Sequence, residues 1–222
     1  MMNKLDKNPW SHENNFYLTS DKSRILKIVD HYEIFKKIDK VKGDILEFGV
    51  FKGASLIRFL TFRDLVENSS KRKVVGFDSF GKFPKPKLNN INKLQDNSFA
   101  VKHDEKIGLG INKDLLKKFL IKKKFSNFEL HKGNVLDSLP IFMKSNSNLK
   151  IALLHLDLDT YEPTDFVLNY LYKKISKKGI ILLDDYKHIR GATLAVNKFL
   201  KEKKLKIKKV SKNGRPYYIQ KI

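Results

Sequence analysis

Apolar and polar positions along this chain fall into two rhythms that alternate. Short runs with every second residue apolar read as strands: GDILEFGV from Gly43, KVVGFDSF from Lys73, NFELHKGNV from Asn127, KIALLHLDLD from Lys150 and KGIILLDDY from Lys178. Between them lie stretches with apolar residues three or four apart, which read as helices. These are SDKSRILKIVDHYEIFKKI opened by a Ser/Asp cap, ASLIRFLTFRDLVENSS, KDLLKKFLIKKKF, PTDFVLNYLYKKI and GATLAVNKFLKEK. A last pair of alternating segments around Asn213-Gly214 reads as a hairpin. Strand–helix alternation predicts an α/β fold with a mostly parallel sheet, right-handed crossovers and an antiparallel C-terminal edge.

No repeat or linker divides the chain, so residues 1–222 are expected to form one domain. Residues 1–42 read as a polar lead-in and a helix, an N-terminal cap in which Trp10 and NNFYLTS are positioned to fold over a site as a lid. Residues 81–114 are polar and irregular, the pattern of a functional loop or lid.

In an open α/β sheet, ligands bind beyond the carboxyl ends of the strands, so the residues delivered there are the candidates. The first strand delivers Glu47, Gly49 and Gly53 in EFGVFKGAS, a G-x-x-x-G turn that is equally a cofactor loop or a plain strand-to-helix turn. The second delivers Asp78, which either accepts hydrogen bonds from a ribose or caps a turn. Two carboxylates beside a glycine turn disfavour a bare pyrophosphate and suit an uncharged nucleoside joined to a cationic group. In LLHLDLDTYE, Leu154, Leu156 and Leu158 alternate with His155, Asp157 and Asp159, so one strand aims two carboxylates off the same face. Asp184 and Asp185 end the next strand, 27 residues after Asp157, about one crossover away. Carboxylates converging there repel unless protonated or neutralised, and a hard divalent cation such as Mg²⁺ is the expected partner. Helix capping explains one such Asp but not four.

Composition prunes the remaining classes. There is no Cys, hence no disulfide or thiolate chemistry, and no paired-His spacing for zinc. His155 is expected as a hydrogen-bonded core residue, His31 as helix packing, and His188 as a residue lining the site. The start lacks an apolar signal segment and no run approaches a membrane span, so a soluble, cytoplasmic protein with no membrane partner is expected. The formal charge of +22 suggests nucleic acid, but 40 of the 46 basic residues are Lys, spread along helix surfaces, and a nucleic-acid partner is disfavoured. A homo-oligomer is compatible with the chain.

Three functional readings compete. DLDTY resembles the D-x-D-x-T nucleophile motif of haloacid-dehalogenase-type phosphatases, with Asp184-Asp185 as an acidic metal pair. Against it, the motif sits on the fourth strand, and Glu47–Gly53 with Asp78 would have no task. A basic binding module on a Rossmann-like fold is disfavoured by the intact acidic cluster. The third reading rests on four segments in order. GDILEFGVFKGASLIRF, VVGFDSFGKFP, LLHLDLDTYEPT and GIILLDDYKHIRGATLAVNKFL together resemble the macrocin O-methyltransferase (TylF-type) family, over about Phe16 to Leu200.

That resemblance implies a Rossmann-like class I methyltransferase fold with a seven-stranded sheet, and Mg²⁺-dependent methyl transfer from S-adenosylmethionine to a sugar hydroxyl. On it, Glu47, Phe48, Gly49, Val50, Phe51, Gly53 and Ser55 hold the methionine part of the donor. Asp78, Ser79 and Phe80 hold its ribose and adenine, Asn134 lies beside the adenine, and Asp157 touches the donor as well as the metal. Asp157, Asp184 and Asp185 are implied Mg²⁺ ligands and Asp159 the general base. Tyr17, Tyr161 and His188 are candidate acceptor contacts, the acceptor being a sugar or a sugar nucleotide such as a nucleotide-linked deoxyhexose.

Overall fold

The computed structural model describes residues 8–67, 72–84 and 93–222. Its strands are β1 (Asp44–Phe48), β2 (Val74–Asp78), β3 (Phe128–Lys132), β4 (Ile151–Leu156), β5 (Ile175–Leu183), β6 (Lys208–Lys209) and β7 (Tyr217–Gln220). They form one seven-stranded sheet in the order β3-β2-β1-β4-β5-β7-β6. The first five are parallel, and β7 runs antiparallel to both β5 and β6. The expected α/β architecture is therefore observed, with the strand order reversing between β1 and β4, where a doubly wound sheet opens a crevice.

Helices α2 (Lys22–Lys37), α3 (Ala54–Phe62) and α5 (Lys113–Lys122) cover one face, burying Ile34, Phe35, Leu56, Phe59, Leu116 and Leu120 against Ile45, Val74, Leu153 and Leu182. Helices α6 (Val135–Ser145), α7 (Tyr161–Leu171) and α8 (Arg190–Lys203) cover the other, packing Leu139, Phe142, Val167, Leu168 and Phe199 on Leu46, Val75, Leu154 and Ile181. Alternate strand residues thus serve two cores, as a sheet buried on both faces requires.

Four helices depart from the sequence reading. The lead-in contains α1 (Pro9–Thr19), started by the Asn8 side chain accepting from the Trp10 amide (3.1 Å) with Pro9 at the first helical position. Trp10, Tyr17 and Leu18 on α1 are exposed, and none lines the main cleft. The 81–114 segment is not an irregular loop, because it contains α4 (Lys93–Lys106); residues 85–92 lie outside those described. Helix α6 was hidden by Pro140, a breaker signal inside the helix, which is started by Asn134 accepting from the Leu136 amide (3.0 Å). Helix α3 is also shorter than the pattern suggests, ending at Phe62 in a π-helical turn, Arg63–Glu67. The C-terminal hairpin forms, but Gly214 does not sit in a left-handed turn.

Candidate active site

Backbone ladders align the strand ends on one level. The Gly49 amide donates to Phe77 O (3.0 Å), the Asp157 amide to Phe48 O (2.9 Å) and the Asp184 amide to Leu156 O (3.1 Å). Gly49 has φ 93°, and a Cβ there would overlap the Asp157 carbonyl, so glycine is obligatory for β1 to pass this close to β4. Beyond it, Phe51 takes a left-handed φ of 51° and turns its amide onto Asp78 Oδ2 (2.8 Å), while Asp78 Oδ1 accepts from the Phe80 amide (2.6 Å). Asp78 therefore holds two loops in register, as its capping reading anticipates, and still faces the cleft.

That cleft encloses about 810 Å³. Of the residues expected to hold a donor, Gly49, Phe51, Asp78, Ser79, Asn134 and Asp157 line it. Glu47, Phe48, Val50, Gly53, Ser55 and Phe80 do not line it; they are buried behind the loop and back it. Ser55 donates to Glu47 Oε1, and His155 Nδ1 lies 3.4 Å from the same oxygen. His155 is fully buried, and although burial opposes its charged form, Glu47 outweighs that and raises its pKa. The sequence missed the roof: Phe83, His103, Asp104 and Gly110 line the cleft from the segment read as a loop. The Phe83 amide donates to Asp104 Oδ1 (3.1 Å), His103 packs 5.1 Å from Phe83 and 5.4 Å from Phe51, and the Ile111 amide closes on Phe51 O (2.9 Å). Only an aromatic and glycine spacing could have signalled this, since its partners lie tens of residues away.

Four aspartates gather beside the cleft, which Asp157 and Asp159 line, but they divide. Asp157, Asp159 and Asp185 each offer a carboxylate oxygen, all within 4.8 Å of one another. Burial, then the Asp184 charge, pushes Asp157 up to about 6. Burial, then Asp157, pushes Asp159 up to about 7, and burial with the neighbouring aspartates raises Asp185 well above the carboxylate range. The backbone aids the convergence: Asp159 has φ 60° and its amide donates to Asp185 Oδ2 (2.9 Å). Asp184 instead turns toward α2, where it pairs with Lys27 and lies 3.9 Å from His31 Nε2. Burial would raise it, but His31 and the Lys27 ammonium outweigh that and hold it well below the usual carboxylate range. Lys27 also reaches Asp157 at 3.7 Å. His31 is packing, as expected, stacked on Phe59 with ring centres 5.2 Å apart; burial lowers it to about 4, so it is neutral. Lys27 was missed because it resembles any other lysine of a solvated helix.

An all-oxygen donor set whose charges repel one another fits a hard divalent cation such as Mg²⁺. The acceptor candidates are less gathered. Tyr161 opens α7 beside Thr160 and Glu162, which line the cleft, whereas His188 is an exposed turn residue and Tyr17 points into solvent on α1. The phosphatase resemblance weakens on its own residues, since Tyr161 rather than Thr takes the motif's fifth place. No helix among the described residues is long and apolar enough to cross a membrane.

Known structures share this architecture. CalS11, a calicheamicin methyltransferase, superposes with a TM-score of 0.77 at 24% identity, over 97% of this chain and 87% of that one. The O-methyltransferase NovP gives 0.74 at 21% identity, over 88% and 79%. At such identities the likeness speaks for the fold. No curated protein matches the chain significantly. The family model for macrocin O-methyltransferase (TylF) matches residues 21–216, nearly the whole sequence, and spans the glycine turn, Asp78 and all four aspartates. The chain belongs to the macrocin O-methyltransferase (TylF) family and is an O-methyltransferase.

Proposed function

We propose that the protein transfers a methyl group from S-adenosylmethionine to a sugar hydroxyl with the help of Mg²⁺. The observation that carries this is the convergence of Asp157, Asp159 and Asp185, the first two lining a cleft walled by Gly49, Asp78 and Asn134. CalS11 is also named as a TDP-rhamnose 3'-O-methyltransferase, which supports a sugar, and a nucleotide-linked one, as the acceptor.

The cleft suits the donor. Asp78 and Ser79 present oxygens for a ribose, the start of α6 with Val135 and Leu136 offers an apolar wall for adenine, and the carboxylates of Asp157 and Asp159 favour a sulfonium. Asp157 and Asp185 would anchor Mg²⁺, which when bound supplies charge that lowers the pKa of a coordinated hydroxyl. The resemblance implies Asp184 as a further ligand; its pairing with Lys27 and His31 supports a holding role instead. Asp159, whose carboxylate converges with those of Asp157 and Asp185, would serve as the general base that takes the proton of the acceptor hydroxyl as the methyl group is transferred. The roof of Phe83 and His103 excludes water from the sulfonium.

Asp159→Asn is expected to keep S-adenosylhomocysteine affinity while turnover falls about 10²–10⁴-fold, the usual scale for a lost acid–base group. Labelled methyl transfer to a panel of sugars and sugar nucleotides reads this directly; unchanged turnover removes Asp159 from the role.

A further inference from the structure

A second recess, of about 410 Å³, lies between α2 and the β6–β7 loop. It is lined by Ser23, Arg24, Lys27, Asn213, Gly214 and Arg215. Lys27 belongs to this recess and Asp157 to the donor cleft, and the two face each other at 3.7 Å. The recess therefore adjoins the acidic cluster across that ion pair.

Its arginines differ from two others in the chain. Arg63 and Arg72 are consumed structurally, each donating to several backbone carbonyls and pairing with a nearby acid. Among the described residues, no carboxylate pairs with Arg24, Arg58 or Arg215. Arg58, half-buried on α3, is pushed below its usual pKa by burial and then by the Arg24 charge, so these two guanidinium groups feel each other. Arg24 also acts on Lys27. Cations this close repel unless an anion joins them.

The chain positions Arg215 here by a specific packing. Asp30 on α2 is fully buried, and a Cβ at Gly214 would overlap its carboxylate. Glycine at 214 lets the β6–β7 loop seat on α2, which brings Arg215 to the recess that Arg24 also lines. The loop is further closed by the Gly214 amide donating to Ser211 Oγ (3.0 Å).

We propose that this recess binds the diphosphate of the acceptor, so that the substrate is a sugar carried on a nucleoside diphosphate rather than a free sugar or a finished glycoside. The inference rests on the sugar-methylation reading above and adds a site to it. One guanidinium fork satisfies a carboxylate, whereas two arginines lining one recess with Ser23 and Asn213 match the many oxygens of a diphosphate. Lys27 lies between the two chemistries. Its ammonium pairs with Asp184 and reaches Asp157 at 3.7 Å, so it partly screens an anion in the recess from the acidic cluster.

The test is calorimetric titration of the full chain, saturated with S-adenosylhomocysteine and without divalent ions, using dTDP and UDP against thymidine, uridine and inorganic phosphate. A nucleoside diphosphate is expected to bind at least about a hundredfold more tightly than its nucleoside, with affinity falling as salt rises. Arg24→Ala and Arg215→Ala, both exposed positions, should each weaken it about tenfold or more while leaving S-adenosylhomocysteine affinity unchanged. The proposal is overturned if neither nucleotide binds a protein that does take up S-adenosylhomocysteine, if both variants bind undiminished, or if inorganic phosphate binds as tightly as dTDP. Loss of S-adenosylhomocysteine binding itself defeats the donor reading instead, and the same titration on the free chain then judges the recess.

Discussion

Asp184 and Asp185 are neighbours in sequence, yet they live in opposite electrostatic worlds. Asp185 faces Asp157 and Asp159 and is driven toward its protonated form by burial and by their charge. Asp184 faces Lys27 and His31 and is held ionised. The difference comes from strand pleating, which sends adjacent side chains to opposite faces: one toward the acidic triad, the other toward α2. Four similar carboxylates thus become a repelling set of three, ready for a cation, and a fourth already neutralised by the protein. Charge count alone does not define a metal site; which carboxylates converge on one another, with a cation no nearer than the 3.7 Å between Lys27 and Asp157, does.

The comparison can be broken most severely at Asp157, which belongs to both halves. Asp157→Asn should lower methyl-transfer turnover by about 10³-fold, the scale of losing a preorganised charge in an active site, and single-turnover kinetics would reveal it. Removing the partner of the other half comes next. Lys27→Met leaves Asp184 and Asp157 without their cation and should cost about 3 kcal/mol in urea unfolding. Adding Asp184→Asn should then recover more than half of that loss, because the uncompensated charge goes with it.

The triad can be sharpened by pH. Asp157 and Asp159 have folded values of about 6 and 7, above an unfolded value near 4. The ion-free fold therefore binds extra protons, and their contribution to stability is lost as pH rises from about 4 through 7. Mg²⁺ replaces those protons, so its stabilisation should grow across the same window. Thermal melts should show an Mg²⁺-induced rise in Tm about 2–4 °C larger at pH 8 than at pH 5.5, equivalent to about 1 kcal/mol. Asp184 has the opposite sign: its lowered value gives stability that is lost only as pH falls below the ordinary carboxylate range. The smallest effect is expected far from either half. Lys198 pairs with Asp165 at 3.1 Å on the exposed surface, and Lys198→Ala should change unfolding free energy by less than about 0.5 kcal/mol.

Strand ends were legible in the sequence because period-two alternation fixes both the strand and the face its last residues take. Asp78, Asp157 and Asp185 are where that reading expects them, as is Gly49. Helix α6 was not legible, since Pro140 interrupts its pattern while the Asn134 cap that starts it is a tertiary-neutral signal. The roof over the cleft was not legible either: His103 and Phe83 acquire meaning only when α4 closes against Phe51. Lys27 is the sharpest case. Its partners lie 130 and 157 residues away, and no local pattern separates it from the 39 other lysines. Gly214 looked like a turn glycine, yet its place is dictated by Asp30.

Asp157 and Asp185, with Asp159 beside them, would hold a divalent cation next to the donor. Calorimetric titration of Mg²⁺ into the protein saturated with S-adenosylhomocysteine tests it most directly. One ion per chain should bind, and Asp185→Asn should abolish that uptake while S-adenosylhomocysteine still binds. An absence of Mg²⁺ uptake, or uptake undiminished in Asp185→Asn, would contradict it.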